Sequence, residues 1–227
     1  MVALTLFRHP KPRVDRLVCL GRLDVDVDPR KAKRLAHRIR ARARRAGAAR
    51  VVVTSPLGRA RDVGRWLGRW GWRHVVDSRL SEVDFGDWQG SLWSSIDAAR
   101  MAPWMQDFAH HQPGGGESVL ELVERCREFL FDERVVVSAT LVTHAGWLSA
   151  VQWIADSDDQ VPNAFDWPHS LPYGAAFVWP AKRGFDRLGT AKASSVGASG
   201  GREGTRISGP GEIKSGRAKP GASQTKV

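Results

Sequence analysis

Arg8 and His9 stand directly after the apolar run Val2 to Phe7, Ser55 and Arg59 follow Val51 to Val53, and His144 follows Ala139 to Thr143. Two guanidinium groups and two imidazoles gathered from separate chain segments suit an anionic substrate. A guanidinium fork matches the oxygens of a phosphoryl group, and a neutral imidazole can attack phosphorus. Three acids, Glu82, Asp84 and Asp87, lie together further along and are candidates for moving a proton. Taken singly, each has a plainer explanation: a strand-end histidine satisfied by backbone groups, a surface arginine, a solvated loop carboxylate. The recurrence of reactive types just past short apolar runs is what sets them apart.

Those runs must be placed by regular elements. Val2 to Phe7, Val51 to Val53, Ala139 to Thr143 and Ala175 to Trp179 read as strands, being short, apolar and bounded by turn residues. Between them, Asp28 as N-cap and Pro29 at the first helical position open a helix over 29–47, with Ala32, Leu35, Ala36, Ile39, Ala43 and Ala46 as its apolar stripe. Leu57 to Trp70 and Trp147 to Ala155 are also helical in pattern, and Ser118 with Glu121 forms a capping box for a helix running to Phe131. Strands alternating with helices predict an α/β fold with a mostly parallel sheet covered on both faces, a three-layer α/β/α sandwich. In such sheets ligands gather beyond the carboxyl ends of the strands. The stretch from Trp72 to Gly116 is a long excursion and the place for a substrate lid.

Composition narrows the class. The chain has 227 residues, 42% hydrophobic, enough for a sizeable core, and no apolar run approaches the ~20 residues that cross a bilayer. Val2 to Phe7 is shorter than a secretory core segment and lacks a basic lead-in, so a cytoplasmic protein is expected. Cys19 and Cys126 are too few for a disulfide framework and show no zinc-ligand spacing. The net charge of +11 divides unevenly. Residues 189–227 hold no aromatic residue and no Leu, are rich in Gly, Ser, Lys and Pro, and carry +5, the composition of a disordered tail. Residues 1–188 form the folded domain with the remaining +6, whose source is ten Lys or Arg and no acid between Arg30 and Arg50. That helix holds no aromatic side chain to read bases, so it reads as a solvated face rather than a nucleic-acid surface. Trp66, Trp70 and Trp72 read as core and lid packing.

Five blocks together carry a family signal: Leu6-Phe7-Arg8-His9, Ser55-Pro56-Leu57-Gly58-Arg59-Ala60-Arg61, Leu80-Ser81-Glu82-Val83-Asp84-Phe85-Gly86-Asp87-Trp88-Gln89-Gly90, Gly115-Gly116-Glu117-Ser118 and Val142-Thr143-His144-Ala145-Gly146. In this order the chain resembles the histidine phosphatase superfamily, with its phosphoglycerate mutase-like fold, over residues 3 to 180. The resemblance implies His9 as nucleophile of a two-step transfer through phosphohistidine. It also implies Arg8, Arg59 and His144 as holders of the phosphoryl oxygens, and Glu82 as the residue that protonates the leaving oxygen and then activates water, with Asp84 and Asp87 as rivals. It implies no metal and no cofactor, and a small-molecule phosphomonoester as partner.

Two features bear on the branch. Many members place Gly after the catalytic histidine, where this chain has Pro10, which has no backbone N–H to offer a phosphate. The pattern Arg8-His9-Pro10-x-Pro12 followed by Cys19-x-Gly21-Arg22-x-Asp24-Val25 looks like the bacterial α-ribazole phosphatase branch of cobalamin synthesis. That likeness implies α-ribazole 5′-phosphate or adenosylcobalamin 5′-phosphate as substrate, with Gly21, Arg22 and Ser118 beside it. A broad sugar-phosphate or phosphohistidine phosphatase is the alternative, and a catalytically weak nucleic-acid-binding member a more distant one.

Overall fold

The computed structural model describes residues 4–15, 17–132, 139–157 and 160–179; the tail expected from residue 189 lies outside them. Strands β1 (Leu4–Arg8), β2 (Val51–Thr54), β3 (Arg73–Val76), β4 (Thr140–Thr143) and β5 (Ala176–Trp179) form one sheet in the order β3-β2-β4-β1-β5. All neighbours are parallel except β5, which runs antiparallel to β1. Helices α1 (Pro29–Ala46), α2 (Gly58–Arg69), α3 (Ala98–Gln106), α4 (Val119–Leu130) and α5 (Ala145–Asp156) complete the framework.

Side-chain alternation along the strands makes two cores. Leu4, Leu6, Val53 and Leu141 point into a layer with α4 and α5, through Leu122, Phe129, Trp147 and Leu148. Phe7, Val52 and Val142 point the other way, against α1 and α2, through Leu35, Ile39, Val63 and Leu67. The three-layer sandwich follows from these opposed faces. Strand β4 is buried on both sides along its whole length, as a central parallel strand must be.

Caps bound the helices where the sequence puts them. Asp28 accepts from Arg30 N at 2.8 Å, and Gly47, in the left-handed region, closes α1 by donating its N–H to Ala43 and Arg44 carbonyls. Ala46, expected in the apolar stripe, is exposed because the helix ends there. Ser118 and Glu121 form the reciprocal box at α4.

The excursion from Trp72 departs from expectation by opening with β3. Its four residues, Arg73-His74-Val75-Val76, sit at the sheet edge with half-exposed side chains, so no apolar run announced them. Trp72 is buried beside Val52 in the α1/α2 layer, with Trp66 and Trp70 packed against it; they belong to that core and not to a lid. The rest of the excursion is tied by rings: Trp93, Phe85, Trp88, Trp104 and Phe108 meet at centroid distances between 5.1 and 6.4 Å. Among the described residues no helix is long and apolar enough to cross a membrane.

Candidate active site

Three parallel strands, β1, β4 and β2, end side by side, and the residues just past them meet. His9 N donates to Thr143 O at 2.9 Å, which locks the β1 exit to the β4 exit. The His9 and His144 rings lie 5.0 Å apart, and both are buried. His9 Nδ1 is 2.7 Å from the Pro10 carbonyl. A carbonyl only accepts, so Nδ1 carries the proton and Nε2 keeps its lone pair. Pro10 has given up an N–H but retains the one atom that orients His9.

Burial, then the Arg59 and Arg8 guanidinium charges, push the His9 pKa well below the ordinary imidazole value, against the opposing pull of the Pro10 carbonyl. His9 is therefore a neutral imidazole at neutral pH, the form that can attack phosphorus. His144 is held neutral in the same direction by burial, His9 and Arg59. Arg59 Nε donates to His144 Nδ1 at 3.2 Å, so the proton of His144 sits on Nε2 and is given to Ser55 Oγ at 2.6 Å.

Arg59 is carried by the first turn of α2 and is 1% exposed. Its two terminal nitrogens donate to Leu23 O at 2.5 Å and Gly21 O at 2.6 Å. With Nε on His144, three of its five N–H groups are used, and one on each terminal nitrogen is left for a ligand. Arg8 donates to Leu171 O and lies with its guanidinium carbon 4.0 Å from the Tyr173 ring centre. Its Nε is buried without a partner, a donor that a phosphoryl oxygen would satisfy.

Glu82 enters from the loop after β3 and acts on α5. Its Oε2 accepts from Ala145 N at 3.0 Å, and its Oε1 accepts from Trp147 N at 3.3 Å and Val83 N at 3.2 Å. Three of the roughly four lone-pair sites of a carboxylate are thus occupied, leaving one for a proton that moves. A Cβ on Gly146 would stand 2.7 Å from Glu82 Oε1, so this approach needs glycine there.

These groups border a cavity of about 290 Å³. Arg8, His9, Arg59, Glu82, Gly21 and Tyr173 line its polar end, and Val18, Leu20, Val83, Phe85 and Trp93 line the rest. His144 is absent from the wall: it backs His9 and Arg59 from a fully buried position. Gly21, at φ +47, sits where a Cβ would collide with Gln89 Oε1, and its carbonyl serves Arg59. Arg22 is not on the wall. It donates to Glu82 O at 3.2 Å and Glu117 Oε2 at 3.2 Å and pairs with Asp84 at 3.5 Å, bracing the Glu82 loop from outside. Asp84 is spent on that pair and on Gly86 N, and Asp87 is mostly exposed and paired with Arg100. Ser118 also lies off the wall, its hydroxyl taken by the α4 cap.

Two contributors, Tyr173 and Ser170, carry no signal in the sequence, and a third, Ser55, is announced only by its position. Tyr173, the chain's single tyrosine, comes from a segment without regular structure and is brought to Arg8 and His9 purely by the fold. Ser55 had been noted at a strand end, yet its tie to His144 is a matter of distance. Ser170 completes the wall. Among the described residues no group of three or more His, Cys, Asp or Glu could hold a metal ion.

Comparison with known proteins agrees with this geometry. The chain is 37% identical over 120 residues to a glucosyl-3-phosphoglycerate phosphatase of Mycobacterium tuberculosis, covering 44% of this chain and 52% of that protein. It is 29% identical over 158 residues to a putative phosphoserine phosphatase 2 of Hydrogenobacter thermophilus, covering 66% and 77%. The chain thus spans about half the length of the mycobacterial relative. Among solved structures, a mycobacterial glucosyl-3-phosphoglycerate phosphatase complexed with VO3 superposes with a TM-score of 0.62 at 25% identity, over 78% of this chain and 90% of that one. A protein of Thermus thermophilus gives 0.59 at 27% identity, over 78% and 94%. The names these relatives carry are those of phosphatases and do not single out the α-ribazole branch. Residues 4–170 match the family model described as histidine phosphatase superfamily (branch 1), and the chain belongs to that superfamily.

Proposed function

We propose that the chain is a phosphoric monoester hydrolase that passes the phosphoryl group through His9 without a metal ion. The observation that carries this reading is the neutral His9, its Nε2 freed by the Nδ1 contact to Pro10 O, on the wall of a cavity shared with Arg8, Arg59 and Glu82. His9 Nε2 attacks phosphorus, the bond to the leaving oxygen breaks, and that oxygen takes the proton of the Glu82 carboxyl. Water then gives a proton to Glu82 and attacks phosphorus; the P–N bond breaks, releasing phosphate and restoring His9. Charge on the phosphoryl oxygens is met by the free N–H groups of Arg59 and by Arg8 Nε, fixed before substrate arrives. His144 and Ser55 act through Arg59, as positioning residues.

For the leaving group, the wall of Val18, Leu20, Val83, Phe85 and Trp93 favours a flat, weakly polar body. With the resemblance of the Arg8 to Pro12 and Cys19 to Val25 segments, this supports α-ribazole 5′-phosphate or adenosylcobalamin 5′-phosphate. The names of the mycobacterial relatives support a second reading, a sugar phosphate.

Phosphate release with EDTA present, from both cobalamin precursors and a panel of sugar, amino-acid and nucleotide monophosphates, tests this. We expect turnover that is lost in His9→Ala along with acid-labile phosphoenzyme, and slowed in Glu82→Gln most for poor leaving groups. Turnover that survives His9→Ala, or that EDTA abolishes, overturns the chemistry. Flat activity across the panel leaves the chemistry and removes the cobalamin substrate.

A further inference from the structure

A second cavity, of about 580 Å³, opens at the opposite end of the sheet, and the catalytic chemistry makes no use of it. It is bordered by Arg40 and Arg44 from the end of α1, Arg50 at the entry to β2, and Trp70 and Trp72 between α2 and β3. Arg59 lies in the first turn of α2 and Trp70 just past its last, about 16 Å apart along the helix at 1.5 Å per residue, so this cavity is no lobe of the first.

Its charge is uncompensated. Among the described residues Arg40, Arg44 and Arg50 form no ion pair. The plain account of cations here is that they complement helix carboxyl ends, and α1 and α2 both end at this cavity. Each end carries roughly half a negative charge, however, against three guanidinium groups, which leaves about two positive charges over. Gly47, on the wall, would accept a Cβ with nothing within 4 Å, so the space is open. Guanidinium forks match phosphoryl oxygens, and the exposed edges of two indoles, half-buried Trp70 and largely buried Trp72, line the cavity beside them. Arg40 lies 5.0 Å from the Trp70 ring centre, so cation and indole already share one side of the cavity.

We propose that this cavity binds a nucleoside di- or triphosphate, its phosphates on Arg40, Arg44 and Arg50 and its base against Trp70 and Trp72. An extended nucleic-acid strand fits less well. Trp66 lies under Lys33 at 4.9 Å and Arg69 at 4.7 Å, and Trp70 already carries the His37 ring at 4.3 Å and Arg40 at 5.0 Å, so these two offer no row of free indole faces for successive bases. A concave site also takes one nucleotide where a strand needs a continuous track.

The test is titration calorimetry on the whole chain in a His9→Ala background, which removes turnover, with substitutions at Arg44 and Arg50 separating this cavity from the catalytic one. We expect ATP to bind at least tenfold more tightly than either tripolyphosphate or adenosine, and Arg44→Ala with Arg50→Ala to weaken ATP at least tenfold. Both arginines are exposed, so the double variant should fold with its melting midpoint lowered by only a few degrees through the lost helix-end interaction, which a thermal scan checks. ATP affinity changed less than twofold by the double variant overturns the site. Tripolyphosphate binding as tightly as ATP overturns the role of the indoles, and with it the nucleotide. A single-stranded oligonucleotide that binds tenfold more tightly than ATP and ignores the double variant overturns the proposal in favour of a nucleic-acid surface.

Discussion

The two ends of the sheet use arginine in opposite ways. At the carboxyl ends, Arg59 is 1% exposed and shares its N–H groups among two carbonyls and an imidazole. At the amino ends, Arg40, Arg44 and Arg50 stand beside indoles and, among the described residues, have no carboxylate partner. Burial even lowers the Arg59 pKa, though acids such as Glu82 and Asp24 pull it back up, and a guanidinium remains charged at any ordinary pH. A buried cation is tolerable only if nearly every donor is satisfied, whereas a solvated one needs nothing. Thirty-five basic residues in the chain therefore say little until each is placed.

The widest gap between the ends should appear on removing Arg59. Arg59→Met keeps most of the volume but leaves the buried Gly21 carbonyl and the part-buried Leu23 carbonyl without donors. An orphaned buried acceptor costs about 1–3 kcal/mol, so a loss of about 4 kcal/mol is expected by chemical denaturation, with turnover down at least a thousandfold. A loss under 1 kcal/mol would break the contrast, because Arg59 would then be no better anchored than a surface arginine.

Acid should also strike one end alone. His9 and His144 have pKa values held well below the ordinary value, mainly by burial, and half-buried His74 is lowered in the same direction. On acidification through the unfolded-state value near 6.5, the unfolded chain takes up protons that the folded chain refuses, so stability falls as pH falls and is flat above about 7. Each such histidine contributes up to about 1.4 kcal/mol per pH unit, so His9 and His144 together remove about 3 kcal/mol by about pH 5.5. Thermal midpoints from pH 8 to pH 5 check this. A midpoint that rises on acidification would mean that these imidazoles are protonated in the fold.

Ser55→Ala is a smaller cut at the same end. It deprives the buried His144 Nε2–H of its acceptor and loosens the imidazole that steadies Arg59. The expected outcome is a stability loss of about 1–2 kcal/mol and a roughly tenfold fall in kcat, with Ser55→Thr restoring part of both. Full activity in Ser55→Ala would show that Arg59 holds its place without this tie.

Much of this asymmetry was legible in the sequence, and the reasons are local. Apolar runs and caps marked β1, β2 and β4 and helices α1, α2, α4 and α5 to within a few residues, because each buries a face, while β5, with no residue fully buried, was marked by its apolar composition alone. Strand β3 escaped since an edge strand of Arg, His and two Val carries no such signature. In the site, His9, Arg59 and His144 were nameable from where the elements end, and Glu82 from the resemblance that set it above Asp84 and Asp87. What could not be read was which groups share a wall. Tyr173 arrives from a segment with no period, while Arg22 and Ser118 turn out to be occupied by Glu117 and by a helix cap. Adjacency in a motif carries no information about which way a side chain's last bond leads, and that decides whether it meets substrate or braces the loop behind.

The opposite sign of effect is expected on the solvated face of α1. Arg42 is exposed, with Arg38 four residues before it and Arg45 three residues after, both on its own stripe of the helix. Like charges at these spacings repel, and opposite charges attract, by roughly 0.2–0.5 kcal/mol per pair. Arg42→Glu turns two repulsions into two attractions. Position 42 lies outside the last turn, so little is lost to the helix dipole, and the Arg-before-Glu pairing with Arg38 is the weaker of the two orientations. A gain of about 1 kcal/mol is expected in denaturant titration, shrinking as salt is raised because the pairs are in water. The same substitution of charge that would wreck the Arg59 end would thus stabilise this one. A loss of similar size would mean that Arg42 already has a partner, and that the arginines of α1 are less free than their surroundings indicate.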